Sequence, residues 1–293
     1  VDIVKFQTFK TEKLVSKNAK KANYQQKDSK DEVQFEMLKK LELPKEWHQK
    51  LKSHATSKNI QFLSTGFDHE SLDFLNTLNP LFFKIPSGEI SNKPYLEHVA
   101  SFGKPIIIST GMSNLEEIAK ALEVITNNGV PKNKISVLHC NTEYPTPFTD
   151  VNLKAMLTIQ NHFNVEVGYS DHTSGIEVPV AAVAMGAKII EKHFTISREM
   201  EGPDHAASLE PLELKQMVRS IRNIEMAISG NGKKEPSVSE LKNKTAARKS
   251  LHINTDLNAN DTLNRSHIDI KRPGDGINPM QIDEVIGKKL KQN

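Results

Sequence analysis

The feature that most constrains the fold is a regular alternation of strand-like and helix-like segments over the first 230 residues. Apolar residues recur at helical spacing between the strand-like runs, as in Leu115, Ile118, Leu122 and Ile125. Strands that alternate with helices run parallel and are joined by right-handed crossovers. The pattern therefore predicts an α/β fold, either an open doubly wound sheet or a closed barrel. Short runs of β-branched and apolar residues predict seven strands, at residues 2–7, 60–65, 81–85, 105–109, 135–139, 165–168 and 187–193.

The strand count bears on the domain organisation. A closed (β/α)8 TIM barrel needs eight strands, and seven would leave an unpaired edge in the wall. The first predicted strand begins at the first residues of the chain, so we expect a barrel over residues 1–230 that lacks its first βα unit. Residues 231–249 hold Gly, Pro, Ser and many Lys residues and predict a linker. Residues 250–293 are too few to carry much core alone.

Composition excludes several classes of function. The net charge of the 293 residues is only +3, and the basic residues form no stripe with interleaved aromatics, so we expect no nucleic-acid partner. The sequence has no apolar run of about 18 residues and no signal-peptide pattern, which predicts no membrane association and a cytoplasmic location. Cys140 is the single cysteine, so any metal site must use His, Asp or Glu.

Polar residues occur where the predicted strands end, and barrel active sites lie at that face. Lys5 and Gln7 are two residues apart and share one side of the first strand. Lysines beside hydroxyl groups suit a phosphate or carboxylate ligand. The later strand ends supply Ser64, Thr65, Lys84, Ser87, Glu89, Ser109, Ser170 and His172.

Two histidines, His172 and His193, end neighbouring predicted strands and form a candidate pair of ligands for a divalent metal. A pair of hydrogen-bonded structural histidines remains an equal alternative. Glu191 shares the face of His193, but it lies deeper and is interpreted as a lining residue. Two stiff loops near the mouth carry Tyr144, which could pack on a sugar face, and Asp204, which could accept hydrogen bonds from hydroxyls.

Several ordered motifs together resemble the N-acetylneuraminate (sialic acid) synthase family, which includes legionaminate and pseudaminate synthases. The resemblance covers the chain from Val1 to the C-terminus. Its motifs are Asp2-Ile3-Val4-Lys5-Phe6-Gln7-Thr8, Phe83-Lys84-Ile85-Pro86-Ser87-Gly88-Glu89, Ser109-Thr110-Gly111-Met112, Leu138-His139-Cys140 through Tyr144-Pro145-Thr146-Pro147, Gly168-Tyr169-Ser170-Asp171-His172-Thr173, Glu191-Lys192-His193-Phe194-Thr195, Gly202-Pro203-Asp204-His205 and Lys271-Arg272-Pro273-Gly274.

The resemblance implies an enzyme that condenses phosphoenolpyruvate with an acylated amino sugar, N-acetylmannosamine in the first interpretation, to give N-acetylneuraminate and phosphate. It implies catalytic roles for Glu89, Lys5 and Lys84, and a divalent ion, Mn²⁺ or otherwise Mg²⁺ or Co²⁺, on His172 and His193. The phosphoenolpyruvate contacts would be Lys5, Thr65, Lys84, Ser87, Ser109 and Ser170. The amino-sugar contacts would be Gln7, Tyr144, Asp204 and Arg272.

The same resemblance implies a small SAF (antifreeze-like) domain over residues 250–293, whose completeness at its C-terminus stays open. In a domain-swapped homodimer this domain would cap the partner's site, and Arg272 would act in trans. The family often has an Asn sugar contact in the region where this chain has Asp28-Ser29-Lys30-Asp31, so no residue is assigned there.

Three alternatives remain open at this point. The first is a legionaminate or pseudaminate synthase that acts on a diacetamido-trideoxyhexose. The second is an inactive barrel that only binds sugar or phosphate. The third, a metal-dependent hydrolase, would need more His or carboxylate ligands than these strand ends offer.

Overall fold

The structure, a computed structural model, describes residues 1–20 and 33–291. The segment Asp28–Asp31 lies outside these residues. The chain divides into two compact units, Val1–Ser229 and Gly230–Asn293. No helix in the described ranges combines the length and apolar character needed to cross a membrane.

The larger unit is built on parallel strands that follow the order of the chain. All seven predicted strands are confirmed within the described residues, with ends shifted by a few positions. β1 pairs with β2, and β3 to β7 form one continuous five-stranded sheet. The strands are β1 (Ile3–Thr8), β2 (Gln61–Gly66), β3 (Phe83–Ile85), β4 (Ile106–Ser109), β5 (Ile135–Cys140), β6 (Glu166–Asp171) and β7 (Ile190–Lys192).

The sheet curls until its first and last strands face each other. Lys5 on β1 reaches Glu191 on β7 with an Nζ to Oε2 distance of 2.9 Å. Within the described residues, no backbone ladder joins β2 to β3 or β7 to β1. The architecture is therefore a barrel-like arrangement of two parallel sheets, in which side chains bridge the first and last strands.

Helices connect the strands of the larger unit and cover the outside of the sheet. α6 begins at a capping box, in which Asn114 accepts from the backbone of Glu117 and the Glu117 side chain accepts from the backbone of Asn114. The helices are α1 (Thr11–Leu14), α2 (Gln34–Leu41), α3 (Lys45–Ser57), α4 (His69–Thr77), α5 (Lys93–Ser101), α6 (Leu115–Asn127), α7 (Lys154–Phe163), α8 (Glu177–Ala184) and α9 (Pro211–Ile228).

The apolar core lies between the sheet and these helices. In β4, Ile106 and Ile108 point outward into the core and are completely buried, whereas Ser109 has the opposite orientation. They pack in one cluster with helix residues such as Ile118 and Ile125. Each such side chain contributes about 1.5–3 kcal/mol through its burial. Most of the buried apolar residues thus lie outside the sheet, and the inner face carries polar groups together with a few apolar residues such as Ile107 and Leu138.

The smaller unit contains α10 (Val238–Ala247), a short antiparallel pair of β8 (Ser250–Ile253) with β9 (Ile268–Lys271), and α11 (Ile282–Val285). The segment predicted as a linker therefore contains a helix. That helix forms because Ser237 caps it and Glu240 completes the capping box. Among the described residues of this unit only Ser250 and Leu263 are fully buried, as expected of a piece with little core.

Candidate active site

The inner face of the curled sheet carries the polar residues predicted at the strand ends. Residues paired in a parallel ladder point to the same side of the sheet, and β1 and β2 pair Gln7 with Thr65 on the side of Lys5. The same rule aligns one inward row across β3 to β7. That row consists of Lys84, Ile107, Ser109, Ser136, Leu138, Cys140, Glu166, Gly168, Ser170 and Glu191.

A cluster of charges lies at the centre of this face. Glu191 Oε2 is 2.9 Å from Lys5 Nζ and 3.8 Å from Lys84 Nζ. Its other oxygen, Oε1, accepts a hydrogen bond of 2.8 Å from Ser170 Oγ. Lys84 Nζ also donates to Ser109 Oγ at 2.7 Å. Four predicted site residues from β1, β3, β4 and β6 therefore converge, and the carboxylate of Glu191 joins three of them.

The electrostatics of the cluster follow from burial and charge. Burial lowers the pKa of Lys84 to about 8, although the Glu191 carboxylate opposes that shift. Burial alone would raise the pKa of Glu191, but the charges of Lys5 and Lys84 outweigh burial and hold that pKa well below its usual range. The cluster at neutral pH therefore contains two ammonium groups and one carboxylate, and its net charge of +1 suits an anionic ligand.

Hydroxyl groups complete the candidate anion site. Thr65 is buried, and its Oγ1 has no hydrogen-bond partner in the described part of the chain. Ser87 Oγ accepts from the backbone N–H of Gly111 at 2.9 Å. A Cβ at position 111 would lie 2.9 Å from this same oxygen, so glycine permits the close approach. An unpartnered buried hydroxyl facing the lysines is an expected feature of a ligand site.

The histidine pair lies at the mouth. The ring centroids of His172 and His193 are 5.3 Å apart, and Tyr144 packs 4.2 Å from the ring of His172. His172 Nδ1 lies 2.6 Å from the carbonyl oxygen of Asn141, which can only accept, so Nδ1 carries the proton. His193 Nδ1 lies 3.7 Å from Asp204 Oδ2.

These histidines have the properties required of metal ligands. Burial lowers the pKa of both His172 and His193 to about 4, so both rings are neutral at physiological pH. At His172, the hydrogen bond of Nδ1 to the carbonyl oxygen leaves Nε2 with a free electron pair, which is the usual arrangement of a ligating imidazole. In residues 1–20 and 33–291, no three His, Cys, Asp or Glu side chains gather around one point. The donor chemistry of the two neutral imidazoles is compatible with a divalent cation.

A second ion pair, on the outer side of β7, holds the loop that carries His172. Lys192 bonds to Asp171 with both side chains almost fully buried. Asp171 Oδ1 accepts from the backbone N–H and the hydroxyl of Thr173 at 3.0 Å and 2.9 Å. The sequence analysis predicted neither this ion pair nor the central position of Glu191. The succession Glu191-Lys192-His193 in a partly buried strand was the available signal, because charges removed from water require partners.

Three predicted residues have other surroundings. The Glu89 carboxylate accepts a 2.6 Å hydrogen bond from Asn92 Nδ2 rather than joining the lysine cluster. Gln7 is exposed at the end of β1. Arg272 belongs to the smaller unit, where its Nε donates to the carbonyl of Ala247 at 3.0 Å. Cys140 is buried 3.8 Å from Ser87 Oγ, and burial raises the pKa of its thiol, consistent with no assigned chemistry.

A curled parallel sheet with an anion-binding lysine cluster and two neutral histidines at its strand ends defines a barrel enzyme that acts on anionic small molecules. The chain belongs to the NeuB family, whose profile matches residues 1–234. This confirms the resemblance found in the sequence motifs, and the chain is therefore a condensing synthase of that family.

The similarities extend over most of the compared proteins. N,N'-diacetyllegionaminic acid synthase of Campylobacter jejuni is 50% identical over 293 residues, which is 100% of this chain and 87% of that protein. The protein of the same name from Legionella pneumophila is 46% identical over 296 aligned residues, which is 100% of this chain and 83% of that protein. The crystal structure of a sialic acid synthetase from Leptospira borgpetersenii, in complex with citrate, is 33% identical and has a TM-score of 0.69, covering 82% of this chain and 79% of that one.

Proposed function

We propose that this chain condenses phosphoenolpyruvate with a diacetamido-trideoxyhexose to form a legionaminate-type nonulosonic acid and phosphate. The observation that carries the proposal is the convergence of Lys5, Lys84 and Ser109 beside the histidine pair at the strand ends. Similarity to the two diacetyllegionaminic acid synthases favours this sugar over N-acetylmannosamine, which was the first interpretation of the sequence. N-acetylneuraminate and pseudaminate synthesis are the competing outcomes.

Phosphoenolpyruvate would bind the lysine cluster through its carboxylate and phosphate. Lys5 and Lys84 would offset these charges, and Ser87, Ser109, Ser170 and Thr65 would donate hydrogen bonds to the same oxygens. The unpartnered hydroxyl of Thr65 supports this assignment. The enol carbon C3 would then have to face the mouth, where the histidine pair lies.

His172 and His193 would hold a divalent cation, Mn²⁺ or otherwise Mg²⁺ or Co²⁺, which when bound polarises the sugar aldehyde. The sugar itself would contact Gln7, Tyr144 and Asp204. Tyr144 packs beside both histidines, at 4.2 Å and 5.6 Å between ring centroids, which supports a sugar position directly over the pair.

The bond changes follow from these positions. The enol C3 forms a bond to the aldehyde carbon, whose oxygen becomes a hydroxyl by taking up a proton from solvent, and C2 of the enol becomes positively polarised. Water adds to C2 and gives one proton to Glu89, acting as a general base after release from Asn92. The tetrahedral C2 then expels phosphate by cleavage of its carbon–oxygen bond, and its new hydroxyl loses its proton to the departing phosphate, which leaves the 2-keto acid. Lys5 and Lys84 stabilise the departing phosphate.

The smaller unit would be an SAF domain that caps the site of a partner subunit in a domain-swapped homodimer, with Arg272 contacting the N-acyl group in trans. We also propose that one further parallel strand belongs between β7 and β1, where the described residues form no ladder. If Arg272 acts in trans, a mixture of Arg272→Ala and His172→Ala chains regains activity that neither has alone. No regain would refute the exchange.

The direct test measures phosphate release from phosphoenolpyruvate with the diacetamido-trideoxyhexose and with N-acetylmannosamine, each with and without Mn²⁺. We expect phosphate release with the diacetamido-trideoxyhexose, and we expect that release to depend on Mn²⁺. In His172→Ala, both the phosphate release and its dependence on Mn²⁺ should be lost. The matched control is His162→Ala, an exposed histidine on α7, which should behave as the unchanged protein. Absence of release with any sugar would refute the proposal.

A further inference from the structure

Glu191 contacts two lysines and a serine, and no role described above explains these contacts. It lies on β7, a strand of only three residues, yet its two carboxylate oxygens contact side chains from three other strands. Oε2 faces Lys5 and Lys84, and Oε1 accepts from Ser170. Every one of these partners is a proposed contact of phosphoenolpyruvate.

Charge explains why a carboxylate is placed there. Lys84 has a side chain that is 3% exposed, and Lys5 meets the same oxygen of Glu191. Two ammonium groups this close repel each other strongly where water is largely excluded. One shared carboxylate offsets that repulsion, and the cluster keeps one excess positive charge for a ligand. An isosteric neutral group at position 191 would leave the two lysines facing each other.

Comparison with the other ion pair of β7 separates a positioning role from a purely structural one. The side chains of Lys192 and Asp171 are 2% and 0% exposed, so that pair is closed to any ligand. The side chains of Lys5 and Glu191 are 27% and 21% exposed, and they lie on the inner face of the barrel. The Glu191 cluster is therefore partly exposed, whereas the Lys192–Asp171 pair is closed.

We propose that Glu191 is a positioning residue for phosphoenolpyruvate, which holds the ammonium groups of Lys5 and Lys84 at fixed places and offsets their mutual repulsion. This inference rests on the proposed function and deepens it. Ser170 has a linked role, because its hydrogen bond fixes the orientation of the carboxylate. Glu191 acts through the two lysines and takes no part in making or breaking bonds.

The test is a steady-state comparison of Glu191→Gln with the unchanged full chain in the presence of Mn²⁺ and the sugar. Since hydrogen bonds to charged groups are the strong ones, we expect the KM for phosphoenolpyruvate to rise about tenfold or more. The KM for the sugar and kcat should change by less than about threefold, as for lost ground-state binding. Glu191→Asp keeps the charge and should recover part of the affinity.

Controls separate this role from a general loss of structure. Glu225→Gln removes a carboxylate that pairs with Arg222 at the surface and should leave both KM values unchanged. If Glu191 acts through Lys5 and Lys84, the rise in KM for phosphoenolpyruvate in the double variant Glu191→Gln/Lys5→Gln is smaller than the two single effects combined, because the contact with Lys5 is already lost in Lys5→Gln. Fully additive losses in the double variant would overturn the inference.

Two failures remain distinguishable. If the unchanged chain releases no phosphate with any sugar, the proposed function fails. If it is active and Glu191→Gln has the same KM for phosphoenolpyruvate, only the positioning role is wrong. A structural role would lower kcat and raise both KM values to a similar extent, with a lower unfolding temperature and no recovery in Glu191→Asp. That outcome would also overturn the positioning role.

Discussion

Breaking the buried ion pair between Lys192 and Asp171 should strongly destabilise the larger unit. Asp171→Asn would place an amide N–H₂ or a weaker oxygen acceptor against the ammonium group of Lys192, whose side chain is 2% exposed. The change leaves a buried positive charge without a counter-charge, which costs about 3–5 kcal/mol. For a unit of this size each kcal/mol corresponds to about 2–4 °C, so we expect the unfolding temperature to fall by about 6–20 °C.

The assay is thermal unfolding followed by circular dichroism at 222 nm, because most of the helices belong to the larger unit. The matched control is Glu97→Gln, which removes a carboxylate from the exposed pair Lys93–Glu97 and should lower the unfolding temperature by no more than about 2 °C. The double variant Asp171→Asn/Lys192→Met should recover part of the loss, since it also removes the unpaired charge. Equal unfolding temperatures for Asp171→Asn and Glu97→Gln would refute this reasoning.

Three further predictions concern the inner face. In Gly168→Ala the new Cβ would lie 2.4 Å from a backbone carbonyl oxygen, so denaturant unfolding should show a loss of about 1–3 kcal/mol, whereas Gly88→Ala, in open space, should show little change. Thr65→Val removes a buried unpartnered hydroxyl, so the stability of the variant should be unchanged or higher. Its kcat/KM for phosphoenolpyruvate should fall about tenfold. An unchanged kcat/KM would contradict the assigned contact. The pKa of Lys84 is lowered to about 8. The kcat/KM for phosphoenolpyruvate should therefore fall as the pH rises through 8, because the ammonium group loses its proton. A profile that stays flat to about pH 10, as for an ordinary lysine, would show that the ammonium group of Lys84 is not required.

The sequence alone predicted the seven strands and several of the polar residues that the structure brings together on the inner face. Hydrophobic periodicity located the seven strands, because each strand buries an apolar outer face, and the family motifs pointed to a NeuB-type synthase. The position of Lys84 beside Ser109 also followed, since both end neighbouring strands. These features depend on local pattern and on the order of parallel strands.

Other features depend on distances across the sheet, which local pattern does not contain. Glu191 was interpreted as a lining residue because nothing in the sequence reveals that two lysines meet it across the barrel. The partner of Lys192 was invisible for the same reason. The helix Val238–Ala247 was missed because its lysine-rich composition resembles a linker, although Ser237 and Glu240 form a capping box.

The short strand β7 has a consequence for how the sequence can vary. Glu191 and Lys192 are neighbours with opposite charges, and they point to opposite sides of the wall, one toward two lysines and the other toward Asp171. A slip of one residue in one direction would bring Lys192 to the two lysines, and a slip in the other direction would bring Glu191 to Asp171. Three residues of backbone pairing select a register only weakly. The two charges therefore make either one-residue slip repulsive, and single-residue insertions or deletions in this strand should be tolerated less than substitutions.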